Sequence, residues 1–511
     1  MNRVPLTILL YLVMPVSFGQ TAANTWSVKF SDAIISRWPT TINSMTGKGW
    51  EYSNSIILHG MEKVYNDTPN LAYLNYIKKY VESYVDSSGN FNFTLAQTLD
   101  NIHPGILCLF LYEKTGRTKF KTAATQLRNF LVGPTSTYPK TSNGGYWHKG
   151  TNSAYYNVMM LDGIYMAHPF LVKYGKLFND PVCYDTATSQ ALLLGSFVYD
   201  NTIHLARHAW TTDLTKAWAT SPSGVSREVW SRAMGWYAMA LVDMLKYLPS
   251  THAKYASIKA LLANLAIGIQ NTQDPATGLW YQVMNKQDSA ANYLETSGSA
   301  MFVYALKVAA DSGWIAPSYL TVAQNGWNGL KAHSISTFSG DGKPEIDHYA
   351  PAMSVQNSYT QYVSGANVAV NTPSSVNPHG YAAILMAASV MEFPLSMASL
   401  PVKFSSFTAA ATENGVVLHW ANPDPGGEVK YYIIQRSADG IHFTDAGQVK
   451  ADGQAVYHWV DNTATGNTLY YRVGAADADG AVYYSTVQVV KGRTGLPAMV
   501  VSPNPVDNRR V

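Results

Sequence analysis

"NLAYLNYIKKYVESYV", from Asn70 to Val85, decides how the first three quarters of this chain are read. Leu71, Leu74, Ile77, Val81 and Tyr84 recur in it at three- and four-residue steps. That spacing stacks side chains on one face of an α-helix. The same rhythm returns in "SREVWSRAMGWYAMALVDMLKYL" (226–248), "HAKYASIKALLANLAIGIQ" (252–270), "SGSAMFVYALKVAA" (297–310) and "YAAILMAASVMEF" (381–393).

Working outward from these stretches gives roughly twelve helical segments, near 26–37, 52–65, 70–85, 103–115, 118–132, 154–178, 185–205, 227–247, 252–271, 294–312, 316–334 and 377–391. An even set of antiparallel helices predicts six hairpins closed into a toroid. A helical solenoid is the alternative, but it requires a fixed repeat and no sequence period is found. Between the helices, "TSNGGYWHKGTN" (141–152) and "TQDPATGLWYQVMNKQ" (272–287) hold Gly, Pro, Asn and aromatic residues. These read as loops, where binding residues concentrate.

After Leu400 the text turns to strands: "VVLHW", "KYYIIQRS", "VYHWV", "TLYYRVGAAD" and "AVYYSTVQVV". Turn signals at Asn422-Pro423, Asp439-Gly440 and Asp479-Gly480 separate them. Short alternating strands of this kind predict a β-sandwich. At the other end, "MNRVPLTILLYLVMPVSFGQ" has one Arg, an apolar run and small residues before Gln20, a signal-peptide pattern. No later stretch reaches the ~20 apolar residues a spanning helix needs, so no membrane span is expected in the mature protein. The expected organisation is a signal peptide over 1–19, a helical domain over 24–396, a sandwich over 401–491 and a Pro/Asn tail over 492–511.

Composition removes several functions. With a net charge of +3 and no basic run, the chain is a poor nucleic-acid binder. Two cysteines, Cys108 and Cys183, make neither a disulfide framework nor a zinc cluster. There is no GxxxxGK[ST], HExxH, CxxC or GxSxG. What remains are polar residues at aromatic-rich loop–helix junctions. "LDGIYMAHPF" (161–170) sets Asp162 in an apolar stretch, although Asp is seldom buried unless paired. His148 follows Trp147, and His208 lies beside Trp210 in "ARHAWTTD". Arg232 and Trp236 are four apart and share a helix face. Asp100 stands just before a helix in "TLDNIHPG". A flat ring next to Arg and His suits a sugar that bears a carboxylate. Each also has a plain reading: an Arg–Trp pair is often packing plus an ion pair, and an Asp can be satisfied by a neighbour.

"LDGIYMAHPFLVKY", "RHAW", "WSRAMGWYAMALVDMLKYLP", "GLWYQV", "NYLETSGSAMFVYAL" and "VSGANVAV" closely resemble the unsaturated rhamnogalacturonyl hydrolases. That family is glycoside hydrolase family 105, related to the unsaturated glucuronyl hydrolases. The resemblance spans roughly 26–393 and implies an (α/α)6 barrel followed here by a small all-β sandwich. It implies removal of a 4,5-unsaturated uronic acid from the non-reducing end of a lyase-generated oligosaccharide, with no metal or organic cofactor. One acid protonates the C4=C5 bond, water adds at C5, and the hemiketal opens to release the neighbouring sugar. The family's proton donor falls on Asp162. An apolar wall would suit that role, because it favours the protonated form of an acid. A second acidic position falls on Asp100. His208, Arg232 and Trp236 fall on substrate-contact positions, as does His148, although its spacing to Asp162 is longer by a short insertion. Tyr52, Trp147, Trp210 and Trp280 are expected only as aromatic lining.

Residues 401–491 resemble fibronectin-type-III-like modules, and "VVSPNPVDNRRV" resembles the opening of a type-nine secretion sorting tail without its usual remainder. Both imply an exported protein, secreted, surface-held or periplasmic. The reading's rivals are a polysaccharide lyase on the same toroid and a non-catalytic surface glycan-binding protein. The oligomeric state and the sugar on the reducing side are left open.

Overall fold

The computed structural model describes residues 25–364, 378–393, 404, 406–412, 415–421, 429–440, 443–465, 468–477, 482–485, 487–491 and 502–503. The expected leader, the junction near 396–401, nearly all of the tail, "GANVAV" at 365–370 and two turn signals (Asn422-Pro423 and Asp479-Gly480) lie outside the described residues.

Among the described residues twelve long helices form: α1 (Trp26–Arg37), α2 (Tyr52–Asp67), α3 (Leu71–Glu82), α4 (Gly105–Thr115), α5 (Thr118–Val132), α6 (Leu161–Phe178), α7 (Pro181–Val198), α8 (Ser231–Leu245), α9 (Tyr255–Asn271), α10 (Thr296–Asp311), α11 (Tyr319–His333) and α12 (Pro378–Glu392). The even-numbered helices pack in sequence and α12 returns to α2, closing an inner ring. Each odd-numbered helix packs outside it against at least one inner helix. This is an (α/α)6 barrel.

Sequence decides which helix lies inside. Every residue of α8 is buried, including Arg232 and Asp243. On the outer α9 only Ile258, Leu262, Leu265, Ala266, Gly268 and Ile269 are buried, a single stripe. Among the described residues, no helix is long and apolar enough to cross a membrane.

Two helices differ from expectation. The segment at 154–178 opens as strand β1 (Val158–Met160), and helix begins only at Leu161. The segment at 185–205 starts earlier, at Pro181, whose fixed φ suits a first helical turn. β1 belongs to a small antiparallel sheet with β2 (Ala209–Thr211), β3 (Ala219–Thr220) and β4 (Val225–Ser226), in the order β1-β2-β4-β3. Strands of two or three residues carry no readable period, so only this long-range pairing reveals them.

The C-terminal region holds β5 (Phe407–Thr412), β6 (Gly415–Ala421), β7 (Val429–Ser437), β8 (Thr444–Lys450), β9 (Val456–Asp461), β10 (Thr468–Asp477) and β11 (Gln488–Lys491). One sheet runs β9-β6-β5 and the other contains β8-β7-β10-β11 as neighbours. Leu418, Trp420, Tyr432, Ile434, Tyr457, Tyr471 and Val473 from the two sheets meet in one core, making a small all-β sandwich.

Candidate active site

The N-terminal ends of the inner helices converge on one cavity of about 590 Å³. Tyr52 opens α2, Asp100 precedes α4, Asp162 lies in the first turn of α6, and Arg232 in that of α8. His379 lies in the first turn of α12 and also lines the cavity.

Two backbone pairings bring the acids and histidines together. β1 pairs with β2 as Val158↔Thr211, Met159↔Trp210 and Met160↔Ala209. One step further the Leu161 N–H donates to the His208 carbonyl at 3.1 Å, so His208 falls beside Asp162. His208 Nε2 lies 3.3 Å from Asp162 Oδ2. On the other side the His148 N–H donates to the Val158 carbonyl, and the Leu99 N–H to the His148 carbonyl. That register puts Asp100 Oδ1 3.2 Å from His148 Nε2 and Oδ2 2.9 Å from Lys149 Nζ. Gly163 makes the approach possible. A Cβ there would stand 2.9 Å from His148 Nδ1 and 2.8 Å from Leu99 Cδ1.

The two cavity acids therefore differ. Burial alone would raise the pKa of Asp100, but His148 and then Lys149 outweigh it and hold the carboxyl well below the usual carboxylate range. Asp100 is ionised at any physiological pH. Asp162 touches one histidine, keeps a partly exposed side chain and shares the wall with Met160, Met166, Trp230 and Trp236.

Arg232 is buried and heavily committed. Its Nε donates to Ser297 Oγ at 2.7 Å and Nη1 to the Pro351 carbonyl at 2.9 Å. Nη2 reaches Glu295 Oε1 at 3.5 Å and the Ala350 carbonyl. Glu295 caps α10 by accepting from the Ser297 and Gly298 N–H groups, and also accepts from Ala350 N–H. Gly298 lets α10 come this close, since a Cβ would stand 2.8 Å from Ser231. The pair clamps residues 350–351, so the guanidinium's charge is largely compensated before any ligand arrives. Trp236 lines the cavity as expected of a neighbour on the same helix face. Tyr52 Oη sits 3.0 Å from His379 Nε2, and burial lowers the His379 pKa well below its ordinary value, so this is a neutral polar pair.

Other expected residues lie elsewhere. His208 is fully buried and does not line the cavity; it stands behind Asp162, with Nδ1 2.7 Å from Tyr362 Oη. It is therefore a neighbour of Asp162 and not part of the cavity wall. Trp147 and Trp210 stack on each other, centroids 6.0 Å apart, and Trp210 stacks on Phe197 of α7, so neither ring faces the cavity. Trp280 is fully buried, donates to the Ile269 carbonyl and packs edge-on to Phe302. It is core, not lining.

The sequence reading missed Lys149, Glu51, Lys48, Trp230, Gln356, Gln361 and His379, all on the cavity wall. Lys149 and Trp230 sat next to or two residues from named candidates, and Glu295 lay inside the quoted "NYLETSGSAM". Gln356 and Gln361 carried no local signal. Among the described residues, no three His, Cys, Asp or Glu side chains gather to hold a metal ion.

A closed double ring of helices with an acid-bearing cavity at one end defines a toroidal (α/α)6 protein. Within that class the chain belongs to Glycosyl Hydrolase Family 88, whose profile matches residues 26–393. A glycoside hydrolase family 105 structure from C. acetobutylicum superposes with a TM-score of 0.65 at 29% identity, covering 72% of this chain and 99% of that one. The unsaturated rhamnogalacturonyl hydrolase YesR of Bacillus subtilis is 23% identical over 260 residues, which is 50% of this chain and 70% of YesR. Protein Atu3128 of Agrobacterium fabrum is 40% identical over 148 residues, 29% of this chain and 62% of that protein's length.

Proposed function

We propose that this protein hydrates the double bond of a 4,5-unsaturated uronic acid at the end of a short oligosaccharide and so releases the neighbouring sugar. The observation that carries the reading is the contrast between the two cavity acids. Asp100, held by His148 and Lys149, stays ionised and orients ligand hydroxyls. Asp162, beside one histidine, lines the cavity with part of its side chain exposed and is placed to meet a ligand atom.

In the proposed step the Asp162 carboxyl gives its proton to C4, and the C4=C5 electrons form the new C–H bond. The ring oxygen supports the cation left at C5. Water adds there, and its proton returns to the Asp162 carboxylate, with His208 holding that carboxylate in place. The C5 hemiketal then opens, leaving a hemiacetal at C1 that expels the neighbouring sugar as its alcohol. Helix N-termini gathered around the cavity favour the uronate's negative charge.

The test is to incubate the protein with lyase digests of several polyuronides and follow the ultraviolet absorbance of the conjugated double bond. Hydration makes it fall. A rise marks a lyase, and no change with any digest overturns the proposal. Arg232→Ala should raise KM, because it frees the 350–351 segment as well as one guanidinium contact; an unchanged KM removes Arg232 from substrate binding.

A further inference from the structure

The cavity wall has a charged part and an uncharged part. Its charged members are Lys48, Lys149, Arg232, Glu51, Asp100 and Asp162, and they come from three regions: 48–51, the inner-helix N-termini and the loop at 149. The uncharged part includes a lip formed by Ala352, Met353, Ser354, Gln356, Gln361 and Ser364. From Ala350 to Pro378 the sequence contains no Asp, Glu, Lys, Arg or His. The lip and the stretch that follows it therefore bring no charge to the cavity, whatever path that stretch takes.

The cations of the charged part are mostly spent. Lys149 is on Asp100 and Arg232 is on Glu295. Among the described residues, Lys48 is the one cation of the wall without an ion pair. Two of the lip's polar ends are also assigned, Gln356 Nε2 and Gln361 Oε1. Gln356 Nε2 donates to the Ser354 carbonyl at 2.8 Å and to Ser354 Oγ at 3.2 Å. That leaves Gln356 Oε1, an acceptor, as its unused end among the described residues. Gln361 is turned the other way, its Oε1 accepting from the Asn357 N–H at 2.9 Å.

We infer that this cavity accommodates a single anionic group, the unsaturated uronate, and that the lip selects a neutral, unsulfated sugar on the reducing side, with Gln356 as a specificity-determining residue. The inference rests on the uronyl hydrolase reading above. An acceptor oxygen suits a sugar hydroxyl, which donates. It repels a sulfate, which only accepts, and a second anion enclosed without a counter-charge is disfavoured.

The experiment compares two lyase-made disaccharides that differ only in a sulfate on the reducing-side sugar, reading kcat/KM from the fall in absorbance. The sulfated substrate should be at least about tenfold slower. Gln356→Lys should narrow that ratio by supplying the missing cation, and Gln361→Lys gives a second reading on the same lip should the first variant fold poorly. Equal or faster turnover of the sulfated substrate overturns the inference while leaving the hydrolase reading intact. A ratio that neither lysine variant moves removes the lip as its source and overturns the assignment to Gln356. If neither disaccharide is consumed, the hydrolase reading fails and the inference falls with it.

Discussion

At the N-terminal end of the inner ring Asp162 faces His208 and a cavity; toward its C-terminal end Glu62 faces Lys173, which also holds Glu113. The residue types are alike. Near the C-terminal ends, Lys63 and Lys246 flank Asp243 at 3.8 and 3.1 Å, and Tyr304 donates to the same carboxylate. His59 approaches Glu62 at 3.8 Å. Tyr165 joins the two regions, stacking on Trp236 above and contacting His59 below. What differs is compensation. Near the C-terminal ends almost every buried charge has an opposite charge within reach, as burial demands. At the N-terminal end one acid keeps a face for a ligand. A buried cluster of titratable groups is therefore no site by itself; a site needs a polar atom left over and room beside it.

The largest test of this contrast is Asp162→Asn. It keeps the shape and removes the transferable proton, so turnover should fall by about ten-thousand-fold, ~5.5 kcal/mol of barrier, with substrate still bound. The melting temperature should hardly move. Wild-type-like rates would erase the functional half of the comparison.

Lys173→Met probes the other half. It leaves Glu62 and Glu113 buried without their shared cation, which should cost about 3–5 kcal/mol of stability in urea unfolding. Turnover per folded molecule should be unchanged. A matching loss of turnover at unchanged stability would mean that the far cluster takes part in the chemistry.

Gly163→Ala tests how finely the mouth is set. The added methyl meets His148 and Leu99, displacing the histidine that holds Asp100. A shift of this size in a supporting group should lower kcat about tenfold while stability changes little. An unaltered kcat would show that His148 need not sit where it does.

These positions also show what the sequence could and could not reveal. Helical spacing of Leu71, Leu74, Ile77 and Val81 needs only local backbone geometry, so the helices of the barrel were readable segment by segment. Arg232 and Trp236 shared a face for the same reason. The pairing of His208 with Asp162 depends on a three-residue strand whose partner lies some fifty positions away, and nothing local encodes it. Trp147 looked like lining because it precedes His148, yet in extended backbone neighbouring side chains leave on opposite sides, and its ring goes to Trp210. Trp280 sits in a loop-like string, but its indole N–H finds the Ile269 carbonyl in the core. Gln356 is invisible because a neutral amide in an uncharged stretch acquires meaning only from the cavity it lines.

The smallest effect should come from Asp67, the last residue of α2 and the exception to compensation near the C-terminal ends. It has no ion pair among the described residues, and burial, only partly opposed by Lys63 and Lys246, pushes its pKa up to about 7 from 3.8. The sign follows from proton counts. As pH rises from about 4 towards 7, the unfolded chain has released this proton while the folded one retains it. The folded state then binds more protons, so Asp67's contribution to stability falls across that window and levels off above it. Asn keeps the shape and does not titrate. Asp67→Asn should therefore match the wild type near pH 4 and gain stability as pH rises, reaching about 1 kcal/mol at pH 8 once the half-exposed side chain's screening is allowed for. Urea unfolding at pH 4, 5.5 and 8 measures the gap. A variant weaker than the wild type at pH 8 would mean that Asp67 is a stabilised anion after all, and that charge is matched throughout the C-terminal end of the ring.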